Sequence, residues 1–407
     1  MDLRGWLDTT VCKASLALIA VAAIAGCNNM GAEKKANGSG AGSATGSAGA
    51  TVKPETGPIV IGHFASMTGA QATFGISTDR AIRLAVKERN AKGGVKGRQV
   101  EVVTIDDAGK QTEAATAVTR LINDSNAVAI LGEVASSLSL AGGPIAQKAG
   151  VPMVSPSSTN PDVTDVGDYI FRVCFLDDFQ GWVVAKFAFD NLKAKKVAIL
   201  YDQSQAYSSG LADFFEKAFK QMGGTIATRQ AYTGGNLEIS SQLQQIKNAN
   251  PDAIFLPGYY SDAGTIIRKA REAGIKAVFL GGDGWDSEEL PKIAGDAING
   301  NYFANHYAPE EPRPEVKDFV EKYRKEYSST ADGLAALGYD AALVLFDAME
   351  RAPSLKGADL RDALAATKNF TGVTGTFSID KNRNAQKSAV IVEYKDGKQI
   401  MAARIEK

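Results

Sequence analysis

The chain has 407 residues, with 45 basic and 46 acidic side chains and a formal net charge of −1. This length is sufficient for two domains with separate cores, and the balanced charge does not favour nucleic-acid binding, which normally requires a strongly basic face. The sequence contains no P-loop, no GxGxxG dinucleotide motif and no Cys/His cluster with metal-ligand spacing. We therefore expect neither a cofactor nor a metal.

The first 26 residues are typical of a signal peptide. Lys13 precedes the uncharged run 14–25 (ASLALIAVAAIA), which is shorter than the ~20 residues that a membrane span needs. The run ends in IAGC, which resembles the lipobox of bacterial lipoproteins, and Cys27 is the predicted lipidation site. Ordinary secretory cleavage beside an incidental cysteine is the alternative. Residues 27–57 are rich in Gly, Ala and Ser and are predicted to form the lipidated cysteine and a flexible tether.

From residue 58 onwards, short apolar runs alternate with amphipathic helical patterns. The first series predicts strands at 59–64, 100–105, 128–131 and 152–155, and helices at 77–90, 113–123 and 138–149. The second series predicts helices at 179–191, 209–222, 239–249 and 264–273, and strands at 197–201, 225–231, 253–256 and 277–280. Helices within 314–367 and a strand at 389–394 follow. The alternation predicts two α/β lobes with doubly wound parallel sheets, one of which the late strand must join.

Four segments in this order carry a family resemblance. They are ERNAKGGVKGRQVEVVTIDDAG (88–109), SPSSTNPDVT (155–164), YDQSQAYSSGLA (201–212) and GYYSDAG (258–264). Together they resemble the leucine/isoleucine/valine-binding proteins of ABC importers, from about residue 59 to the C-terminus.

The resemblance implies the type I periplasmic-binding fold, in which two Rossmann-like lobes are joined by three crossovers and the ligand lies between them. Lobe 1 is expected at 58–177 and 307–380, and lobe 2 at 178–306 and 381–407. The implied function is that of an exported monomer, anchored by lipid to a membrane and facing the periplasm or cell exterior. It would capture an amino acid, branched-chain or similar, and deliver it to an ABC permease with its ATPase.

Three alternatives to this function remain open. The first alternative is a ligand sensor domain. The second is a receptor for a non-amino-acid metabolite such as an amide or aromatic acid. The third alternative is an enzyme on the same scaffold. The only two histidines, His63 and His306, have no visible nucleophile partner, so catalysis is not expected.

Hydroxyl side chains follow two neighbouring predicted strands. Ser136 and Ser137 open a helix, where hydroxyls and free N–H groups at the positive helix end suit a carboxylate. Simple N-capping is the alternative. Ser157, Ser158 and Thr159 follow the next strand. The resemblance assigns the ligand's α-carboxylate and α-amino group to Ser136, Ser158 and Thr159.

An acidic residue and four aromatic residues complete the predicted ligand site. Asp283 lies in GGDGW after an apolar strand, on a loop expected to be accessible. The resemblance pairs Asp283 with the ligand's ammonium group, and an Asp-Gly turn is the alternative. The resemblance also places Tyr207 and Tyr259 along the cleft, with Phe74 on a loop and Trp285 near Asp283.

Three further expectations concern residues around this site. Some relatives have a disulfide at the positions of Gly109 and Ala135, so the loop here is expected to be held by packing alone. Cys174, in YIFRVCF, is expected to be a buried small hydrophobe. Tyr260 is expected to point away from Tyr259, into the core, because both are predicted to lie in an extended segment.

Overall fold

The computed structural model describes residues 57–406. The predicted signal peptide, Cys27 and the tether up to residue 56 lie outside the described residues. Within residues 57–406, no helix combines the length and the apolar character that a membrane crossing requires.

The first sheet consists of five strands, all parallel, that begin with the apolar run after residue 58. The strands are β1 (Ile59–Ala65), β2 (Val100–Asp106), β3 (Ala129–Leu131), β4 (Met153–Ser155) and β5 (Ile170–Arg172). Their order is β2-β1-β3-β4-β5. β1 is almost completely buried because it pairs on both edges and is covered on both faces, as is usual in parallel sheets.

Helices connect the strands of the first sheet, as the alternating pattern predicts. They are α1 (Ala72–Ala91), α2 (Gln111–Asn123), α3 (Ser136–Ala149) and the short α4 (Asp162–Asp165). α1 begins five residues before the predicted start at Ser77, so Phe74 lies in a helix and not in a loop. The carboxyl ends of β1, β3 and β4 lead into polar segments at one edge of the sheet.

The chain then builds a second α/β layer. The helices are α5 (Asp177–Lys186), α6 (Ala206–Gln221), α7 (Ser240–Ala249), α8 (Tyr260–Glu272) and α9 (Glu289–Ala294). The strands are β6 (Lys196–Asp202), β7 (Thr225–Tyr232), β8 (Ala253–Phe255), β9 (Val278–Gly281) and β10 (Tyr302–Asn305). A π-helical turn (Phe187–Asn191) extends α5, and short 3₁₀ turns cover Asp283–Trp285 and Gly295–Ile298.

The remaining segments return to each sheet in turn. They are α10 (Pro314–Tyr327), α11 (Gly333–Arg351), α12 (Gly357–Ala365), β11 (Phe370–Gly372), β12 (Gly375–Phe377), β13 (Ala389–Lys395) and β14 (Lys398–Ile405). α11 packs on α1 and shares a hydrophobic cluster with β1. β13 pairs antiparallel with β10, which gives the second sheet the order β14-β13-β10-β9-β8-β6-β7.

The chain therefore passes between the two sheets three times: between β5 and β6, between β10 and α10, and between β12 and β13. This topology confirms the predicted fold class. The predicted lobe boundaries at 177/178, 306/307 and 380/381 stay predictions.

Five strands are absent from the sequence-based prediction: the short hairpin of β11 and β12, and three strands of the two large sheets. β5 and β10 have three and four residues, too few to show a period. β14 is a half-exposed edge strand, joined to β13 by Asp396-Gly397. These two turn residues have φ of 51° and 72°, as a type I′ hairpin requires, so the Asp-Gly pair was the available signal.

Candidate functional site

A small cavity lies where the carboxyl ends of strands from both sheets converge. Its lining consists of Phe74, Val134, Ser157, Tyr207, Tyr259, Asp283, Gly284 and Leu334. Five of these were predicted ligand residues: Phe74, Ser157, Tyr207, Tyr259 and Asp283. Larger grooves lie on the surface around Arg361, around Arg404 and on α10, but none of them lies where the carboxyl ends of strands from both sheets converge. The cavity between the sheets is therefore the candidate ligand site.

Asp283 is the charged group that lines this cavity, and it is 4% exposed. Its Oδ1 accepts hydrogen bonds from Gln180 Nε2 and from the Tyr207 hydroxyl, both at 2.8 Å. Its Oδ2 lies 2.9 Å from His306 Nε2. The expectation that Asp283 lies on an accessible loop is wrong, because the sheets bury it. A buried carboxyl group with several donors is held in one orientation, with its oxygens available to a cation in the cavity.

Aromatic rings form one wall of the cavity. Tyr207 stacks on Tyr259 with ring centroids 5.3 Å apart, and Phe74 meets Tyr259 edge-on at 5.7 Å. The glycines beside Asp283 make room for these rings, because a Cβ at Gly282 would lie 2.4 Å from the Tyr207 hydroxyl. At Gly284 a Cβ would lie 2.6 Å from a backbone oxygen. Burial raises the pKa of Tyr207 well above its ordinary value, with Asp283 adding to the effect, so the phenol remains a donor.

Two hydroxyls on the cavity wall have no protein partner within the described residues. They are Ser157 Oγ, on the first sheet's side, and the Tyr259 hydroxyl, on the second sheet's side. A buried polar group without a partner costs free energy, of the order of 1–3 kcal/mol. These two atoms therefore mark positions where a polar ligand would compensate for the loss of water.

Ser136, Ser137 and Ser158 have hydroxyl partners inside the protein, whereas the hydroxyl of Thr159 has none within the described residues. Ser136 Oγ accepts from Asn160 N–H at 3.3 Å, whereas Ser158 Oγ lies 2.8 Å from the carbonyl oxygen of Glu133. Thr159 is fully buried. These three residues surround the cavity without lining it, and a direct ligand contact by any of them stays a prediction.

Ser137 connects the two halves of the structure. Its Oγ accepts from the backbone N–H of Ala206 at 3.1 Å, and Asn160 Nδ2 donates to the Ala206 oxygen at 2.9 Å. On the opposite side of the cavity, Thr73 Oγ1 lies 3.0 Å from Ser287 Oγ. The two sheets are thus in hydrogen-bond contact on both flanks of the site.

Trp285 and Tyr260 do not lie where the sequence led us to expect them. Trp285 is fully buried and donates its indole N–H to the Leu256 oxygen at 3.1 Å, so it does not line the cavity. Tyr260 begins α8 instead of lying in an extended segment. Its hydroxyl accepts from Thr73 N–H at 3.4 Å, and its ring meets Phe74 at 5.0 Å. Tyr260 is buried as expected, but the helix turns it towards the first sheet.

A polar network holds the loop after β2, and the expectation of packing alone is wrong. The Ser66 hydroxyl donates to Asp107 Oδ1 at 2.8 Å, and its backbone N–H donates to Glu133 Oε1 at 3.0 Å. The residues at the two disulfide positions of relatives also join it. Gly109 N–H donates to Asp107 Oδ1, and Ala135 N–H donates to Glu133 Oε2. Hydrogen bonds thus connect these two loops through Ser66.

Four residues of the site were not found by sequence reasoning: Gln180, His306, Val134 and Leu334. His306 directly follows β10, the short strand that the pattern missed, so its place at a strand end was hidden. Gln180, near the start of α5, is fully buried, which the sequence pattern does not show. Cys174 is buried as expected, and burial raises the pKa of its thiol to about 12.

Within residues 57–406, no group of three or more His, Cys, Asp or Glu side chains is arranged to hold a metal ion. His63 is buried in β1, where Nδ1 lies 3.0 Å from the Leu131 oxygen. The described site thus consists of a buried carboxylate, phenols, a hydroxyl and apolar walls between two α/β layers. That arrangement defines the class of two-lobed solute-binding proteins.

The chain belongs to the periplasmic binding protein family, whose model matches residues 58–399. It is 32% identical to Leu/Ile/Val-binding protein homolog 2 of Brucella abortus (strain 2308) over 343 residues, which cover 83% of this chain and 91% of the relative. A leucine binding protein from Thermotoga maritima MSB8 superposes with a TM-score of 0.82 at 41% identity, with 86% of this chain and 99% of that chain covered. The substrate binding protein LivJ from Streptococcus pneumoniae, in complex with isoleucine, has a TM-score of 0.80 and 34% identity, with the same coverage.

Proposed function

We propose that this chain is the exported, lipid-anchored receptor of an ABC importer, which closes over an amino acid and delivers it to the permease. The observation that carries this proposal is Asp283, a buried carboxylate on a cavity shared by both sheets. A ligand with an ammonium group would compensate its charge, since an unpaired charge out of water is costly. The named binding proteins for leucine and isoleucine among its relatives support the same ligand class.

The two sides of the cavity suit the two ends of such a ligand. Asp283 would hold the ammonium group, whereas Ser157 and the neighbouring serine loops would face the carboxylate. Phe74, Val134 and Leu334 offer apolar contacts to a side chain. Asp283 and Ser157 lie on different sheets, so a ligand that contacts both favours the closed arrangement.

Titration calorimetry with leucine and with 4-methylpentanoate, its desamino analogue, tests the ligand class. We expect Asp283→Asn to weaken leucine at least about tenfold, because a charge-assisted hydrogen bond contributes about 1.5–3 kcal/mol and ~1.4 kcal/mol is one decade. The variant also loses stability, because Gln180, Tyr207 and His306 all surround this carboxylate.

The desamino compound is the control for that loss of stability. General damage to the fold weakens both compounds equally, whereas loss of the ammonium partner weakens leucine selectively. A wild-type preference for 4-methylpentanoate would contradict the amino-acid proposal and favour a receptor for simple acids.

Lipid anchoring is tested on Cys27. Cys27→Ser should leave the precursor without a lipid, so that the protein moves from the membrane fraction to the soluble fraction or stays uncleaved. Cys12→Ser, inside the predicted signal peptide, is the matched control and should remain in the membrane fraction. Mass spectrometry of the mature N-terminus gives the direct readout, and an unmodified N-terminus at another residue would contradict the proposal.

A further inference from the structure

His306 lies behind Asp283, on the side away from the cavity lining. It follows β10, is 4% exposed, and places Nε2 at 2.9 Å from Asp283 Oδ2. The imidazole stacks on the ring of Phe175, with centroids 3.6 Å apart. Its orientation is therefore fixed on one face by a ring and at one edge by the carboxylate that lines the ligand cavity.

The surroundings of the second ring nitrogen of His306, Nδ1, determine which protonation state of the imidazole is favoured. His306 Nδ1 is buried and has no hydrogen-bond partner within the described residues. A neutral ring that donates Nε2–H to Asp283 leaves only a lone pair at Nδ1. A protonated ring would bury an N–H there without an acceptor, which is costly. Burial accordingly lowers the pKa of His306, although the contact with Asp283 opposes the shift.

Charged groups from other elements also face the imidazole. Asp286, in the same turn as Asp283, raises the pKa of His306, whereas Lys387, before β13, lowers it. Burial lowers the pKa of Lys387 itself to about 8.

Asp177, at the start of α5, interacts electrostatically with Asp283. It is fully buried, and its pKa is raised well above the ordinary value by burial first and by Asp283 second. Asp286 and Lys387 have opposite effects on the pKa of His306. Asp283 is the charged residue that contacts the ring directly.

We propose that His306 is a positioning residue for Asp283 and that a proton on its ring opposes capture of an ammonium-bearing ligand. The inference rests on the proposed function, in which Asp283 binds the ammonium group. With a neutral ring, Asp283 offers its full negative charge to the cavity. With a protonated ring, His306 and Asp283 form an ion pair, and a ligand ammonium is a second cation beside one carboxylate. Ligand and proton therefore compete.

Histidine NMR of the protein, purified without a histidine tag, measures this competition directly. The chain has two histidines, so His63→Gln leaves His306 as the single ring signal. We expect the pKa of that ring to fall when leucine saturates the site. An unchanged pKa would overturn the proposal. If His63→Gln does not fold, the wild-type spectrum shows both rings and His306→Gln assigns them.

The leucine Kd between pH 4.5 and 8 provides the functional readout. In wild type, Kd should be constant above the pKa of the ring and weaken below it, by up to about tenfold per pH unit for one proton. His306→Gln keeps a donor at the Nε2 position but does not titrate, so its Kd should lose this slope. His63→Gln should keep the slope, because His63 contacts Leu131 in the other sheet.

The outcomes separate the two proposals. A wild-type protein that binds no leucine at any pH contradicts the amino-acid ligand itself. A protein that binds leucine with a flat pH profile, or a His306→Gln variant that keeps the wild-type slope, overturns only the role of His306. Glu133 and Asp332 have raised pKa values of about 8 and about 7, but both variants retain them, so the difference between profiles isolates His306.

Discussion

Two buried carboxyls, Asp107 and Glu133, hold the loops at the edge of the ligand site. Both are at most 1% exposed, and Ser66 bridges them. Burial, and then repulsion from Asp107, raises the pKa of Glu133 from its ordinary value to about 8. The pair therefore retains a proton at neutral pH. The hydrogen bonds of the two carboxyls connect the loops at the positions where some relatives have a disulfide.

The raised pKa predicts a pH dependence of stability. A carboxyl whose pKa is higher in the folded than in the unfolded state contributes stability that is present at low pH and is lost as pH rises towards 8. Asp107→Asn removes the repulsion and keeps an acceptor at Oδ1, so unfolding in urea should show a smaller loss between pH 5.5 and 8, by more than about 1 kcal/mol.

Asp106→Asn is the control for this experiment. Asp106 accepts hydrogen bonds that lower its pKa, mainly from Thr68, so its contribution is lost only at acidic pH below the test range. That variant should change the slope of stability between pH 5.5 and 8 less than Asp107→Asn does, because Asp106 is the smallest of the causes that act on the pKa of Asp107. An Asp107→Asn profile parallel to the wild type would contradict the role of the acid pair.

At the scale of elements, helix N-termini connect the two sheets. The first N–H groups of a helix have no partner within the helix. The N–H of Ala206, at the start of α6, donates to Ser137, and the N–H of Gly333, at the start of α11, donates to Asp286 Oδ2 at 2.6 Å. Closure would thus satisfy helix ends that otherwise need water.

The contact between Thr73 on α1 and Ser287 after β9 tests this element-level coupling. Neither residue lines the cavity, so a change in affinity would report on closure. Thr73→Val should weaken leucine about three- to tenfold, mostly through a faster off-rate, because one hydrogen bond contributes about 0.5–1.5 kcal/mol.

A double-mutant cycle with Ser287→Ala isolates the pair, and Thr116→Val, at an exposed position of α2, is the matched control. Thr116 donates only to the Thr112 oxygen within its own helix. Equal kinetics for Thr73→Val and the control would argue against a closure contact.

For the whole molecule, three passages of the chain between the sheets imply a hinge. The described structure has its two halves in contact around the cavity, so a ligand can enter only if they separate. Small-angle scattering should show a smaller radius of gyration when saturating leucine is added. 4-Methylpentanoate at the same concentration is the control and should leave the profile unchanged. An unchanged profile with leucine, under conditions where calorimetry shows saturation, would contradict hinge closure.

The sequence alone determined the α/β lobes, because apolar runs such as 59–64 and 253–256 encode burial locally. Its resemblance to the binding-protein family also indicated Asp283, Tyr207 and Tyr259 as ligand residues. It did not predict the neighbours of Asp283: Gln180 and Tyr207 lie 103 and 76 positions away in the chain.

Only the tertiary structure decided which side chains meet. Trp285 and Tyr207 are both aromatic residues near strand ends, yet one is in the core and the other lines the cavity. His306 is a partner of Asp283 only because β10 lies beside β9 in the sheet. The physical reason is that periodicity fixes the buried face of each element, whereas the convergence of strand ends from two sheets depends on contacts between residues far apart in the chain.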